Sequence, residues 1–184
     1  MGSSGAPPLR AVLFDRDGTL VHDVPYNADP AQVRAMPHAR ESLMRLRGRG
    51  IRTGVLSNQS GIGRRLLTAA DVAAVNARID QLLGPFDVWI VCPHVPADGC
   101  PCRKPAPGMV LTACSRLGVS PAETALIGDI GSDVEAARAS GARGILVPTE
   151  VTRKAEVDEA AEVAADLGAA VDLLLGACSW RAEP

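Results

Sequence analysis

The feature that most constrains the fold is a set of short apolar segments, three of which stop at a polar residue. These three are residues 9–14 before Asp15, residues 51–56 before Ser57 and residues 124–128 before Asp129. Two more segments of the same β-rich character cover residues 88–91 and 144–147. Runs this short, bounded by loop residues, predict buried strands.

Amphipathic helical patterns lie between these segments. They cover residues 39–47, 68–83, 107–117 and 132–140. Thr68 followed by Asp71 predicts a capping box at the start of the second of them. Strands that alternate with helices favour parallel βαβ units, so we predict an α/β fold with a three-layer α/β/α, Rossmann-like parallel sheet.

The chain of 184 residues is long enough for one ordinary domain and short for two. We predict a single domain over residues 9–178 and a flexible, Gly- and Ser-containing tail over residues 1–8. The C-terminal stretch predicts one last strand over residues 162–167 and a helix over residues 168–175.

Charge and composition exclude several classes of partner. Nineteen Lys and Arg against 21 Asp and Glu give a formal net charge of −2, which provides no long-range field for nucleic acid or anionic lipid. With two Phe, two Trp and one Tyr, base-stacking platforms are not predicted either. No apolar run approaches a membrane span, and we see no secretory signal. We therefore expect a cytoplasmic monomer with a small-molecule substrate and with no nucleic-acid or membrane partner.

The polar residues at the strand ends indicate a binding or catalytic site. In open parallel sheets the carboxyl ends of the strands form the ligand crevice, so Asp15, Ser57 and Asp129 are expected to converge there. Asp15 and Asp17 flank one residue in a loop, and carboxylates this close repel each other unless a cation or a proton lies between them. Mg²⁺ suits such oxygen ligands. One of the two carboxylates could then attack phosphorus, and the other could move a proton. The alternative is a simple Asp turn that Gly18 completes.

A second cluster contains the sequence Cys92-x-His94-x₅-Cys100-x-Cys102. Three thiolates and one imidazole complete a tetrahedral site, which predicts a structural Zn²⁺ in a loop over residues 92–102. Reduced cysteines without a metal, or a disulfide, are the alternatives, although a bond between the last two would be strained. Cys114 and Cys178 are interpreted as inert thiols.

Four segments resemble, in the expected order, the motifs of the haloacid dehalogenase-like phosphatases. They cover residues 14–20, 57–62, 102–105 and 127–133, so the resemblance spans about residues 10 to 147. The segment between Thr19 and Arg40 is too short for a separate cap domain. The second motif and the zinc-type loop resemble a narrower group that acts on heptose 1,7-bisphosphate or on histidinol phosphate.

The resemblance implies a role for each acid. Asp15 would be the nucleophile and a Mg²⁺ ligand. Asp17 would be the general acid and base, with its backbone carbonyl on the metal. Asp129 would be the third protein ligand. Asp133 would orient the metal's waters or, equally, be an acid favoured at a helix N-terminus.

The resemblance also implies the residues that hold the substrate. Ser57 and Lys104 would bind phosphoryl oxygens, and Asn58 and Arg103 would recognise the rest of the substrate. A surface salt bridge is the alternative for Arg103. Ile130 stands where the heptose enzymes often carry a basic residue, which puts the identity of the substrate in doubt more than the catalysis.

The resemblance therefore implies a Mg²⁺-dependent phosphomonoesterase that works through an aspartyl-phosphate intermediate on a phosphorylated sugar or alcohol. Heptose 1,7-bisphosphate, losing its 7-phosphate, is the preferred substrate, and histidinol phosphate is the second. A nucleic-acid 3′-phosphatase is less favoured because the sequence shows no basic groove. A non-catalytic, zinc-ordered binding module is less favoured because Asp15, Asp17, Lys104 and Asp129 are all present.

Overall fold

Five parallel strands form the sheet in a computed structural model that describes residues 7–176. The strands are β1 (Ala11–Asp15), β2 (Arg52–Asn58), β3 (Val88–Cys92), β4 (Thr124–Gly128) and β5 (Arg143–Leu146). Their order is β3-β2-β1-β4-β5, and every neighbouring pair is parallel. The five short apolar segments that open the sequence analysis are therefore all strands. Residues 1–6 of the predicted tail, and Cys178, lie outside the described residues.

The helices agree with the predicted periodic segments and add two short ones. They are α1 (Ala39–Arg47), α2 (Ser60–Gly63), α3 (Ala69–Leu83), α4 (Gly108–Leu117), α5 (Gly131–Ser140), α6 (Lys154–Glu159) and α7 (Leu167–Gly176). Thr68 caps α3 through the predicted capping box, in which Thr68 Oγ1 accepts from Asp71 N and the Asp71 carboxylate accepts from Thr68 N. The short helices α2 and α6 were not predicted, because segments this brief carry little periodic signal.

Helices cover both faces of the sheet, which confirms the three-layer prediction. The central strand β1 is fully buried, and its side chains alternate between two apolar cores. Val12 and Phe14 pack with apolar residues of α1, α3 and α7, whereas Ala11 and Leu13 pack with those of α4 and α5. This burial fixes β1 at the centre of the sheet, so the loop that follows it opens at the middle of the carboxyl edge.

The predicted C-terminal strand over residues 162–167 is wrong. Only an isolated bridge joins Val163 to Leu146, through Leu146 N to the carbonyl of Glu162 and Ala164 N to the carbonyl of Leu146. β5 ends at Leu146, and Asp166 then accepts a hydrogen bond from Ala169 N at the start of α7. The chain turns into that helix before a second pairing can form. The predicted helix itself is present as α7.

The long connections carry no additional folded unit. Between β1 and α1 the chain forms a short 3₁₀ turn at Pro30–Gln32 and isolated bridges from Val21 to Asp17 and to Ala35. The predicted absence of a separate cap domain is therefore confirmed for residues 7–176. Within that same range, no helix has both the length and the apolar content needed to cross a membrane.

Candidate active site

Three neighbouring strands deliver polar side chains to one cavity of about 550 Å³ at the carboxyl edge of the sheet. Asp15 is the last residue of β1, Ser57 and Asn58 end β2, and Asp129 directly follows β4. Asp15, Ser57 and Asp129 are buried. The convergence expected from the strand ends is present in the structure.

Lys104 enters the floor of this cavity from the loop between β3 and α4. Its ammonium is ion-paired with Asp15, lies 2.6 Å from Asp133 Oδ1 and donates to the carbonyl of Leu56 at 3.1 Å. Burial alone would lower the pKa of Lys104, but Asp133 and Asp15 outweigh it and raise that pKa. The lysine is therefore held as a cation beneath the cavity.

Carboxylate oxygens of Asp15, Asp129 and Asp133 all lie within 4.8 Å of one another. Burial, followed by repulsion from Asp15 and Asp133, raises the pKa of Asp129 to about 7. Burial likewise raises the pKa of Asp133 to about 6, although Lys104 opposes it. Three buried carboxylates thus share one ammonium, an imbalance that a divalent cation with oxygen ligands would relieve. The donor set fits Mg²⁺.

Two glycines make this close approach possible. Gly18 has a φ of +80°, and a Cβ there would lie 2.3 Å from Asp129 Oδ2. A Cβ on Gly128 would lie 2.3 Å from Asp133 Oδ2. Thr152 Oγ1 donates to the carbonyl of Asp129 at 2.6 Å, which secures the loop after β4. Any larger side chain at either glycine would push the carboxylates apart.

The carboxylate of Asp17 lies outside this acidic cluster and is held by different partners. Arg16 Nε donates to both of its oxygens, at 3.0 and 3.1 Å, and Gln59 Nε2 donates to Oδ2 at 3.0 Å. The same Gln59 amide donates to Ser57 Oγ at 2.8 Å. Burial raises the pKa of Asp17, and the Arg16 charge opposes that shift. The side chain is one quarter exposed, toward the cavity.

Asn58 and Arg103 line the cavity in different ways. Asn58 Nδ2 donates to the carbonyl of Lys104 at 3.3 Å, and its Oδ1 accepts from Lys104 N at 3.2 Å. Both ends of this amide are therefore occupied by backbone. Arg103 Nη1 donates to the carbonyl of His94 at 3.3 Å. No ion pair involves Arg103 within residues 7–176, so the surface salt bridge is not found there.

Cys92, His94, Cys100 and Cys102 form one cluster at the end of β3. Five of the distances between their sulfur and Nδ1 atoms lie between 3.2 and 3.7 Å. Ligands around a tetrahedral zinc, at about 2.3 Å for sulfur and 2.1 Å for nitrogen, are separated by about 3.5–3.8 Å. The three cysteines are not disulfide-bonded. The cluster fits Zn²⁺, and its four protein ligands would leave no open position.

Some residues of the site were not identified from the sequence. Arg16 was only the spacer between two acids, although an arginine between them is itself a signal of a charge partner. Gln59 was quoted only as part of the second motif and was given no role of its own. Thr152 lies in an irregular loop, and Asn76 lies on α3, so neither carried a local signal for its contact with the site.

The fold and the site define a class of protein: a hydrolase of the haloacid dehalogenase-like (HAD) type, built on a three-layer α/β/α sheet. The family model described as HAD-hydrolase-like matches residues 101–170, which include Lys104, Asp129 and Asp133. The rest of the site, at Asp15 and Ser57, lies N-terminal to that match. Full-length relatives cover both parts.

Two curated relatives share one name with each other. The D-glycero-β-D-manno-heptose-1,7-bisphosphate 7-phosphatase of Bordetella bronchiseptica is 32% identical over 176 residues, which cover 91% of this chain and 98% of that protein. The enzyme of the same name from Pseudomonas aeruginosa is 36% identical over 143 residues, covering 75% and 80% of the two chains. The chain therefore belongs to the haloacid dehalogenase-like phosphatases, in the family of these heptose-bisphosphate phosphatases.

Solved structures agree with this assignment. The crystal structure of the B. bronchiseptica heptose 1,7-bisphosphate phosphatase, complexed with magnesium and phosphate, superposes with a TM-score of 0.81. The match covers 91% of this chain and 99% of that one at 32% identity. A HAD-like phosphatase from Mesorhizobium loti superposes with a TM-score of 0.68 at 31% identity, covering 95% and 91% of the two chains.

Proposed function

We propose that this chain is a Mg²⁺-dependent phosphomonoesterase that removes the 7-phosphate of D-glycero-D-manno-heptose 1,7-bisphosphate. The observation that carries the proposal is the pairing of Asp15 with Lys104 on the floor of the cavity, with Asp17 beside them. A carboxylate, an ammonium and a second carboxyl are the groups that phosphoryl transfer through an enzyme-bound phosphate requires. The names of the relatives supply the substrate.

Asp15 and Asp129, with the backbone carbonyl of Asp17, would hold Mg²⁺, as expected from the sequence. When bound there, the cation supplies positive charge that offsets the repulsion between the carboxylates and the phosphoryl group. Asp133 is fully buried and paired with Lys104. We therefore propose that Asp133 acts mainly as a counter-charge for Lys104. That Asp133 also orients metal-bound water stays a prediction.

The first half-reaction transfers the phosphoryl group to Asp15. A carboxylate oxygen of Asp15 attacks phosphorus, and the bond from phosphorus to the sugar oxygen breaks. The carboxyl group of Asp17 gives its proton to that leaving oxygen. Lys104 and Ser57 hold the non-bridging oxygens, where negative charge is spread in the transition state.

The second half-reaction restores the enzyme. The Asp17 carboxylate takes a proton from a water molecule as the water oxygen attacks phosphorus. The bond between phosphorus and Asp15 breaks, inorganic phosphate leaves, and Asp17 is again protonated. The proton released to the sugar in the first step is thus replaced by one from water.

The remaining residues of the cavity would have different roles. Arg103 is half-buried and free of ion pairs with the described residues, so it would bind the second phosphate or hydroxyl groups of the sugar. Ile130 lines the same cavity and cannot bind phosphate. Asn58 would act indirectly, by holding the backbone of Lys104. As expected from the sequence, we propose that the chain acts as a monomer.

We further propose that Cys92, His94, Cys100 and Cys102 hold a structural Zn²⁺. When bound, it supplies the cross-links that an irregular loop with little core of its own lacks. Arg103 and Lys104 directly follow Cys102, and Arg103 also contacts the carbonyl of His94. Ordering this loop would therefore order both cations against the phosphate.

A panel assay of phosphate release tests the function. With Mg²⁺ present, kcat/KM for heptose 1,7-bisphosphate should exceed that for histidinol phosphate and for a 3′-phosphorylated oligonucleotide. Asp15→Asn, prepared in parallel, should lack activity on every substrate, which excludes a contaminating phosphatase. Turnover of histidinol phosphate that is orders of magnitude better would overturn the substrate, and activity on none of them would overturn the phosphatase itself.

A further inference from the structure

Arg16 lies between the two aspartates of the first motif, and only 3% of its side chain is exposed. Its Nε donates to both oxygens of the Asp17 carboxylate. The guanidinium therefore restrains the orientation of the whole carboxylate group, and not only the position of one oxygen. A buried guanidinium needs hydrogen-bond partners for its other N–H groups. The partner that it finds lies far away in the sequence.

That partner is Asn76, on the helix α3. Its Oδ1 accepts a hydrogen bond from Arg16 Nη1 at 2.8 Å, across 60 positions of the sequence. α3 is itself fixed against the sheet by Val75, next to Asn76, and by Ile79, both buried in the core. The position of the guanidinium is therefore set by a packed helix that contributes nothing else to the floor of the cavity.

A second contact restrains the same carboxylate from another side. Gln59 Nε2 donates both to Asp17 Oδ2 and to Ser57 Oγ, at 3.0 and 2.8 Å. The Asp17 carboxylate is thus held between two donors, with its remaining exposed surface toward the cavity. Orientation of this kind matters because proton transfer requires the acid to lie within hydrogen-bond reach of the leaving oxygen.

We propose that Arg16 and Asn76 are positioning residues for the phosphatase reaction: Asn76 fixes the guanidinium of Arg16, and Arg16 aims the Asp17 carboxyl at the leaving-group oxygen. The inference rests on the proposed role of Asp17 as general acid. Neither residue touches the phosphoryl group in this scheme. A merely structural ion pair would instead support the loop without favouring any one step of the reaction.

Leaving-group dependence separates these two roles. A sugar oxygen needs a proton as its bond to phosphorus breaks, whereas 4-nitrophenolate departs as a stable anion. Because kcat/KM reports the steps up to the first irreversible one, it isolates phosphoryl transfer to Asp15. A misaimed Asp17 should therefore lower kcat/KM for the sugar phosphate far more than for 4-nitrophenyl phosphate.

The test compares kcat/KM on the preferred sugar phosphate and on 4-nitrophenyl phosphate. Asn76→Leu removes the acceptor, Asn76→Asp keeps it, and Asp17→Asn is the reference for loss of the acid. Gln81→Leu is the matched control, since it also replaces an amide by an isobutyl group on α3 but at an exposed position. Far-ultraviolet circular dichroism and thermal unfolding confirm that each variant is folded.

We expect Asn76→Leu to lower kcat/KM for the sugar phosphate by about tenfold or more, which is part of the total effect of a general acid. The kcat/KM for 4-nitrophenyl phosphate should change by less than about threefold. Asn76→Asp and Gln81→Leu should stay near wild type. Equal losses on both substrates, or no loss, would overturn the inference. If Asp17→Asn shows no preference for the aryl ester either, the proposed role of Asp17 fails, which is a separate outcome.

Discussion

The ammonium of Lys104 lies 2.6 Å from the carboxylate of Asp133, a residue that follows β4, although Lys104 itself arrives from the loop after β3. Asp15 pairs with the same ammonium from β1. One buried cation therefore links three separate segments of the chain at the floor of the cavity. Its removal would leave two buried carboxylates without a counter-charge.

Lys104→Met should accordingly be both inactive and unstable. Loss of one partner of a buried ion pair costs about 3–5 kcal/mol, because the remaining charges stay desolvated. Urea unfolding without added Mg²⁺ measures this free energy. Lys154→Met is the matched control, since Lys154 forms an exposed pair with Asp158 that contributes little. Equal free energies of unfolding for the two variants would contradict the buried counter-charge role of Lys104.

Asn58→Ala should impair catalysis on all phosphate esters by a similar factor. The variant loses two hydrogen bonds to the backbone of Lys104, each contributing about 1 kcal/mol, so the lysine is less well placed under any phosphate. Steady-state assays on heptose bisphosphate and on 4-nitrophenyl phosphate provide the comparison. A loss confined to the sugar substrate would show instead that Asn58 contacts the sugar, as the sequence alone had suggested.

Removal of Mg²⁺ should abolish phosphate release. Dialysis against a chelator is expected to inactivate the enzyme, and added Mg²⁺ should restore it, because the three clustered carboxylates then regain a counter-ion. In Asp129→Asn the activity should recover only at much higher Mg²⁺ concentrations, if at all. Full activity in the chelated wild-type enzyme would contradict a catalytic role for the acidic cluster.

Purified protein should contain about one equivalent of zinc by elemental analysis. Cys102→Ser should lose the metal and unfold at a lower temperature, since one of the four ligands is missing. Cys114→Ser changes a buried thiol in α4 that is not one of the four ligands, and this variant should keep its zinc. Less than about half an equivalent in the wild type, with all thiols reactive, would contradict the zinc site.

Much of this architecture could be predicted from local sequence. The central strand reads as a short apolar run because both of its faces are buried, and the rule for parallel sheets then places Asp15, Ser57 and Asp129 at one edge. The Cys and His spacing was sufficient to define the second cluster. These features depend on neighbours in the sequence or on general topology.

The contacts that could not be predicted depend on packing between distant segments. Asn76 meets Arg16 only because α3 lies against the sheet at one particular height, and no local pattern encodes that height. Asn58 looked available for a substrate, yet the loop that carries Lys104 occupies both of its amide atoms. The C-terminal apolar stretch has strand-like residues, but β5 ends at Leu146 and offers only one bridge.

In the proposed mechanism, Asp15 carries the phosphoryl group during turnover. Acid quenching of the enzyme within milliseconds of mixing with substrate and Mg²⁺, followed by peptide mass spectrometry, measures this directly. We expect a phosphoryl adduct on the peptide that contains Asp15, present during turnover and absent in Asp15→Asn. Turnover at the full rate with no adduct, together with activity retained in Asp15→Asn, would contradict it.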